Sequence, residues 1–340
     1  MPANVFRFFH DQLPDDAWRD FYNAVESAVR IRLPIMAYQK VLSKEPKDYS
    51  RVIYYVYNDH PEFFYFNCYG CKYNIGETSV MVLFSYPEPE AESDRKIRAL
   101  NQAIDRILAE QFPDGFEKAS ELRREKKIFD WLTDNVTYDH QSLKAYGNRM
   151  DILGDAWTAY GALVLKTSVC QGIACAFKML CDRMGIPSIT VSGMAGDPHA
   201  WNIVRIEGKF YQVDCTWTLK NSIDLSVPFK RYQYLNITDE IMGQNHKPFD
   251  SFLPRCISLH ANPYNKKGLC CNSPAELYDL ARQHILNGEK RFAFLCLAGY
   301  PAPEEIQALA NRLHAATGIA TIIYPDNNKY YIGFDTQRGN

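Results

Sequence analysis

A chain of 340 residues with 46% hydrophobic and 23% charged side chains has the composition of a soluble globular protein and material for two or three cores. Its 38 basic and 40 acidic residues leave a net charge of −2, which gives no basic footprint and argues against nucleic acid as the main partner. No apolar run approaches the length of a bilayer span, so no membrane role is expected, and Arg7, His10 and Asp11 interrupt the apolar start where a signal peptide needs a continuous core. A cytoplasmic protein is therefore expected, although a secreted chain trimmed of its leader would read the same way.

Trp18, Phe21, Tyr22, Val25 and Val29 follow the acidic start Pro14-Asp15-Asp16 at helical spacing, which predicts an amphipathic helix over 14–31. Val52, Ile53, Tyr55 and Val56 predict a second over 49–58, ending at Asp59-His60-Pro61-Glu62. Residues 63–69 and 78–86 read as strands separated by a turn over 70–76, so residues 1–90 form a small N-terminal α+β module. His60 between Asp59 and Glu62 invites a metal or catalytic role, but a His-Pro pair after a helix also terminates it, and that reading is preferred. The acidic, proline-bearing stretch 87–93 reads as a linker. Ile97, Leu100, Ile104, Ile107 and Leu108 predict a long helix from Asp94, broken by Phe112-Pro113-Asp114-Gly115. A further helix runs from Lys118 through Ile128, Phe129, Trp131 and Leu132, with Arg123, Arg124, Lys126 and Lys127 on its solvated side.

The stretch from Ser168 to Trp217 carries a thiol, an imidazole and a carboxylate, each at the edge of a predicted element. Cys170 precedes the helical run Ile173, Ala176, Phe177, Leu180 and Met184, which puts its sulfur at a helix N-terminus. Unpaired N–H groups there favour a thiolate and point at a developing oxyanion. Residues 188–192, 199–206 and 209–214 read as strands, and Glu207-Gly208 joins the last two as a tight hairpin. Pairing about that turn sets His199 and Asp214 roughly opposite each other. The imidazole can then take the thiol proton and the carboxylate can hold its tautomer. His140 is the competing imidazole and ranks below His199, since no strand pattern surrounds it.

These pieces, namely Trp157-Thr158-Ala159-Tyr160-Gly161-Ala162-Leu163, Val169-Cys170-Gln171-Gly172, Gly185-Ile186-Pro187, His199-Ala200-Trp201-Asn202 and Val213-Asp214-Cys215-Thr216-Trp217, resemble in order the transglutaminase-like superfamily of papain-like cysteine enzymes. The resemblance implies an α+β fold whose papain/transglutaminase-like core packs the nucleophile-bearing helix on an antiparallel sheet, with small α+β and α/β domains flanking it. It implies Cys170 as nucleophile, His199 as general base and acid, and Asp214 as orienting carboxylate. Calcium-dependent animal crosslinking enzymes carry a tryptophan directly after the nucleophile, whereas Gln171-Gly172 resembles a bacterial branch. The activity implied is acyl transfer from an amide or peptide bond through a thioester: foremost a hydrolase of the protease or amidase kind, alternatively a protein-glutamine transglutaminase or deamidase. A third alternative, from another class, is a non-catalytic binding or scaffold module that retains the fold. The partner is a peptide or protein substrate, with no cofactor and no metal. Trp157, Tyr160, Trp201 and Trp217 surround the three candidates in sequence and could shape an acyl slot or serve only as core, and Gln171 could add an oxyanion donor.

The transglutaminase-like domain is placed at 91–245, followed by a linker at 246–272 that is polar and rich in proline and glycine. A small α/β domain at 273–340 is read from a helix over 274–286, a strand over 291–297, a helix over 303–317, strands over 319–324 and 329–334, and a turn at Asp326-Asn327-Asn328. The ten cysteines show no disulfide framework, and reduced, mostly buried thiols are expected. Cys68, Cys71, Cys270 and Cys271 could supply four zinc ligands, but the pairs lie far apart in sequence and no second C-x-x-C motif accompanies them.

Overall fold

In the computed structural model, which describes residues 5–146, 154–299, 302–326 and 329–337, the chain divides into two units. The first comprises Met1–Gly208 and Pro248–Leu253, the second Lys209–Lys247 and Pro254–Asn340. No helix among the described residues is long and apolar enough to cross a membrane.

In the first unit a short helix α1 (Phe8–Asp11) precedes α2 (Asp16–Arg30), whose start is fixed by the Asp15 side chain accepting from the Trp18 N–H. The apolar stripe of α2 buries Phe21, Tyr22, Val25 and Val29, and α3 (Pro46–Asp59) packs on it through Tyr49, Val52, Ile53 and Val56. Strands β1 (Ile35–Tyr38), β2 (Lys72–Ile75) and β3 (Val80–Leu83) form an antiparallel sheet in the order β1-β3-β2. The strand expected over 63–69 is absent. Pro61–Phe63 and Cys68–Gly70 form 3₁₀ turns instead, and the strand lies at β2, where a turn was expected. The cause is visible in burial: Phe63, Phe64, Tyr65 and Phe66 are all inside, with no period-2 alternation, and the Asn67 side chain caps the N–H groups of Tyr69 and Gly70.

Helix α4 (Glu90–Gln111) starts inside the expected linker, with Pro89 before it and Glu90 and Glu92 in its first turn. Helix α5 (Glu121–Asn135), capped by Ser120, packs on the helix that begins at Cys170. A parallel pair of two-residue strands, β4 (Thr137–Tyr138) and β5 (Thr167–Ser168), brackets α6 (His140–Tyr146) and a five-residue π-helix at Gly161–Leu165. Helix α7 (Cys170–Arg183) then lies against the antiparallel pair β6 (Ser188–Ala195) and β7 (Asp197–Ile206), in which His199 faces Gly193 and Trp201 faces Val191. A helix carrying the candidate thiol therefore rests on antiparallel strands, as the α+β reading requires. Glu207 (φ 50°) and Gly208 (φ 79°) are both left-handed, the geometry of a tight hairpin turn.

Lys178 of α7 is fully buried, and its ammonium donates to Asp182, Phe6 O and Ser188 O, so the helix is tied both to the N-terminal segment and to β6. The segment Pro248–Leu253 also belongs here: the Phe249 N–H donates to Ser192 O, Asp250 accepts from the Tyr55 hydroxyl, and Phe252 stacks on Phe8.

In the second unit β8 (Lys209–Val213) and β9 (Leu235–Ile237) pair antiparallel with an irregularity at Gln212 and Val213, and α8 (Asp239–Met242) follows with a Thr238 cap. The two-residue strand β10 (Lys247–Pro248) falls where the chain passes between units. After α9 (Pro263–Lys266), strands β11 (Cys270–Cys271), β12 (Arg291–Cys296), β13 (Ala320–Pro325) and β14 (Tyr331–Gln337) form a sheet in the order β11-β12-β14-β13. Helices α10 (Pro274–Leu286) and α11 (Pro303–Thr317) have the limits read from sequence, and Leu277, Ala281, Ile285, Leu309 and Leu313 meet Phe292, Phe294 and Phe334 in the core. Asn327 and Asn328 of the expected turn lie outside the described residues.

Candidate active site

Cys170 is the first residue of α7 and 8% exposed, enclosed by Ala174, Ala200 and Tyr138. Val169 offers no capping side chain, so the first-turn N–H groups of this 14-residue helix are not taken up by a cap. The helix tip is braced from below. The Ser168 hydroxyl donates to Ala156 O at 2.7 Å and the Val169 N–H donates to the same oxygen at 2.9 Å. Gly172 makes this approach possible, since a Cβ there would stand 2.2 Å from Ser168 Oγ, 2.6 Å from Thr158 O and 2.7 Å from Ala156 O. The run Cys-Gln-Gly is thus explained at its third position by the backbone passing under the helix.

On β7, His199 is half-buried and stacks on the buried indole of Trp201, with ring centroids 6.1 Å apart and an interplanar angle of 18°. Ala200, its neighbour, is the residue that meets Cys170, which brings this point of β7 alongside the helix tip. Asn202 holds the strand to the helix, its amide donating to Ala174 O at 3.1 Å and Ile189 O at 3.3 Å. Cys170 and His199 are thus carried by neighbouring elements of one unit.

Asp214 belongs to the second unit and is fully buried. Its Oδ1 accepts the N–H groups of Thr216 (2.7 Å) and Trp217 (3.3 Å), an Asx-type turn that sharply ends β8, while Oδ2 lies 3.1 Å from His246 Nε2. His246 was not singled out by the sequence, because it sits in a polar, proline-bearing stretch with no periodicity. It is buried, bonded through Nδ1 to Asn245, and covered by Trp217 at 4.6 Å and Tyr234 at 5.6 Å. Trp217 therefore belongs to the packing around the Asp214–His246 pair.

The remaining candidates divide by environment. Tyr160 stacks on Phe64 with the Lys96 ammonium 5.5 Å from its ring, which is core packing, whereas Trp157 is half-buried in the 3₁₀ turn that braces the helix tip. The Gln171 amide donates along the helix to Cys175 Sγ at 3.4 Å. Burial pushes the Cys175 thiol up to about 12, so this cysteine is inert near neutrality. His140 is exposed and stacks edge-on against Tyr138, 4.9 Å away, one residue removed from the Cys170 cluster. His60 ends α3 as read, yet it is also buried between Glu62 (3.0 Å) and Glu26 (3.5 Å). None of the ten cysteines forms a disulfide; Cys68 and Cys71 lie in the first unit, and Cys270 and Cys271 lie in the second.

Comparison with known proteins bears on the same stretch. Residues 110–215 match the transglutaminase-like superfamily. The kyphoscoliosis peptidase of Mus musculus is 26% identical over 131 residues, 35% of this chain and 18% of its own length. That of Homo sapiens is 26% identical over 114 residues, 30% of this chain and 16% of its own. The chain thus spans less than a fifth of the length of these curated relatives. A crystal structure of a TGase aligns over 56% of this chain and 52% of its own with 12% identity and a TM-score of 0.32. The matched segment 110–215 is the one that holds Cys170, His199 and Asp214, so the similarity to the transglutaminase-like superfamily covers all three.

Proposed function

We propose that this protein is a cysteine-dependent acyl-transfer enzyme acting on an amide or peptide bond of a peptide or protein, with Cys170 as nucleophile, His199 as general base and acid and Asp214 as the carboxylate that orients it. The observation that carries this reading is the seat of Cys170: the first residue of an uncapped helix, with β7 beside it at Ala200, next to His199. In the first step His199 takes the thiol proton, the thiolate adds to the carbonyl carbon, and the oxyanion falls to the first-turn N–H groups of α7. The proton then passes to the leaving amine as the C–N bond breaks, leaving a thioester on Cys170. Water, deprotonated by His199, attacks the thioester and releases the acid, and the thiolate regains its proton. With water as acceptor the enzyme is a hydrolase, the reading also favoured by the name of its peptidase relatives.

The test is alkylation with an iodoacetamide probe at neutral pH. The parent should label rapidly at one position and Cys170→Ala should lose that label while keeping its circular dichroism spectrum. Equal labelling of both proteins removes the nucleophile. Incorporation of a fluorescent primary amine into a glutamine-bearing protein, in place of hydrolysis, reassigns the acceptor. Absence of turnover on every amide, with Cys170 unreactive, leaves a binding or scaffold module.

A further inference from the structure

The sheet of the second unit ends on an edge that is only partly covered. Along β12 the even residues bond to β14, as the Cys296 N–H to Tyr330 O and the Thr336 N–H to Lys290 O bonds establish. The odd residues face β11: the Leu295 N–H donates to Leu269 O and the Leu297 N–H to Cys271 O. Strand β11 is only two residues long, and the Leu269 N–H turns away to Tyr264 O at 2.8 Å. The odd-numbered main-chain groups of Arg291 and Ala293 therefore look into a cleft of about 630 Å³ rather than onto a strand.

The chemistry of that cleft is directional. Among the described residues Arg231, Lys267 and Arg291 line it against one carboxylate, Glu289, which lies 2.8 Å from His284 Nδ1. Lys267 and Arg291 are exposed, and Arg291 is anchored by donating to Leu225 O and Ser226 O, with Asp335 3.6 Å from its Nε. Tyr232 and Tyr264 add aromatic surface. A partly covered edge with basic residues around it calls for an extended segment whose side chains are acidic.

We propose that this cleft binds an acidic peptide segment in extended conformation, which adds to β12 as a short strand at Arg291–Ala293 while its carboxylates meet Arg231 and Lys267. This site is independent of the proposed Cys170 chemistry and serves a separate protein partner with an acidic segment.

The experiment is fluorescence anisotropy on the full chain with a fluorescein-labelled octapeptide of alternating Val and Glu. Its Val/Lys counterpart and a Val/Glu peptide with two central prolines serve as comparisons. The acidic peptide should bind, the basic one should not, and the proline-bearing one should bind at least tenfold more weakly. Arg231→Glu combined with Lys267→Glu should weaken acidic-peptide binding at least tenfold with an unchanged melting curve. Ala293→Pro, which removes one of the two N–H groups at the edge, should weaken it with little change in salt dependence. If Ala293→Pro fails to fold, the charge reversal and the proline peptide decide. No binding of the acidic peptide, equal binding of the basic or proline peptide, or an unaffected charge-reversed variant overturns the proposal.

Discussion

The buried His60 makes a quantitative prediction about pH. Its side chain is 2% exposed, its Nδ1 lies 3.0 Å from Glu62 and its Nε2 3.5 Å from Glu26. Burial alone would push its pKa down, but Glu26 and then Glu62 more than reverse this, and the ring is carried from 6.5 to about 9. Glu26 is correspondingly held well below the usual carboxylate range, by His60 first. A rise of that size corresponds to about 3 kcal/mol, at about 1.4 kcal/mol per tenfold. Because the folded pKa lies above the unfolded one, this stability is present in full below about 6.5 and is lost as pH rises through about 9. His60→Gln should therefore cost about 3 kcal/mol at pH 6 and progressively less towards pH 9.5. Glu26 keeps Arg7 (2.9 Å) and Arg30 (2.8 Å) in the variant, so it is not left unpaired. Urea denaturation of parent and variant at intervals from pH 6 to 9.5 measures the difference, and NMR of the His60 ring measures its pKa directly. A constant difference across that range, or a ring that titrates near 6.5, refutes the account.

Other perturbations test the site and its supports. Gly172→Ala should slow alkylation of Cys170 and cost several kcal/mol, because two of the three atoms its Cβ would strike are main-chain carbonyl oxygens that cannot swing away; unchanged alkylation and melting would remove the bracing argument. Lys178→Met leaves the buried Asp182 carboxylate without its cation and should lower stability by about 3–5 kcal/mol in denaturant titration, with Lys178→Met/Asp182→Leu recovering part of the loss. His246→Phe strips Asp214 Oδ2 of a partner among fully buried groups, so the unfolding midpoint should fall. A midpoint equal to the parent's would show that the pair contributes nothing.

The legible parts of this chain are those where one physical signal acts alone. Helices α10 and α11 have a Pro at the start and a clean apolar stripe, and their ends were readable to the residue. Strands β6, β7 and β8 declared themselves by β-branched runs and by the two left-handed turn residues after Ile206. The aromatic run 63–66 misled because aromatic residues favour strands on average, yet here all four are buried with no alternation, and turn chemistry from Pro61 and Asn67 decides the backbone. His246 was illegible for a different reason: its partner Asp214 is 32 residues away, and no local spacing links a histidine in an irregular segment to a strand end.

Helix α7 also shows how the proposed nucleophile differs from the other three thiols between 170 and 215. Cys175 and Cys181 lie on the same helix but inside the core, and Cys215 is buried beyond β8; each packs as a small apolar group. Cys170 differs by position alone, at the end where the helix offers N–H groups and where Gly172 lets the chain beneath it close in. The bonds of Lys178 to Phe6 O and Ser188 O, and of Asn202 to Ala174 O, fix the rest of the helix to its neighbours through three acceptors, none of them in its first turn. The body of the helix is thereby fixed by polar bonds, and its first turn is held in place from below. That division is what a positioned thiolate needs, since a nucleophile displaced by an ångström loses most of its advantage.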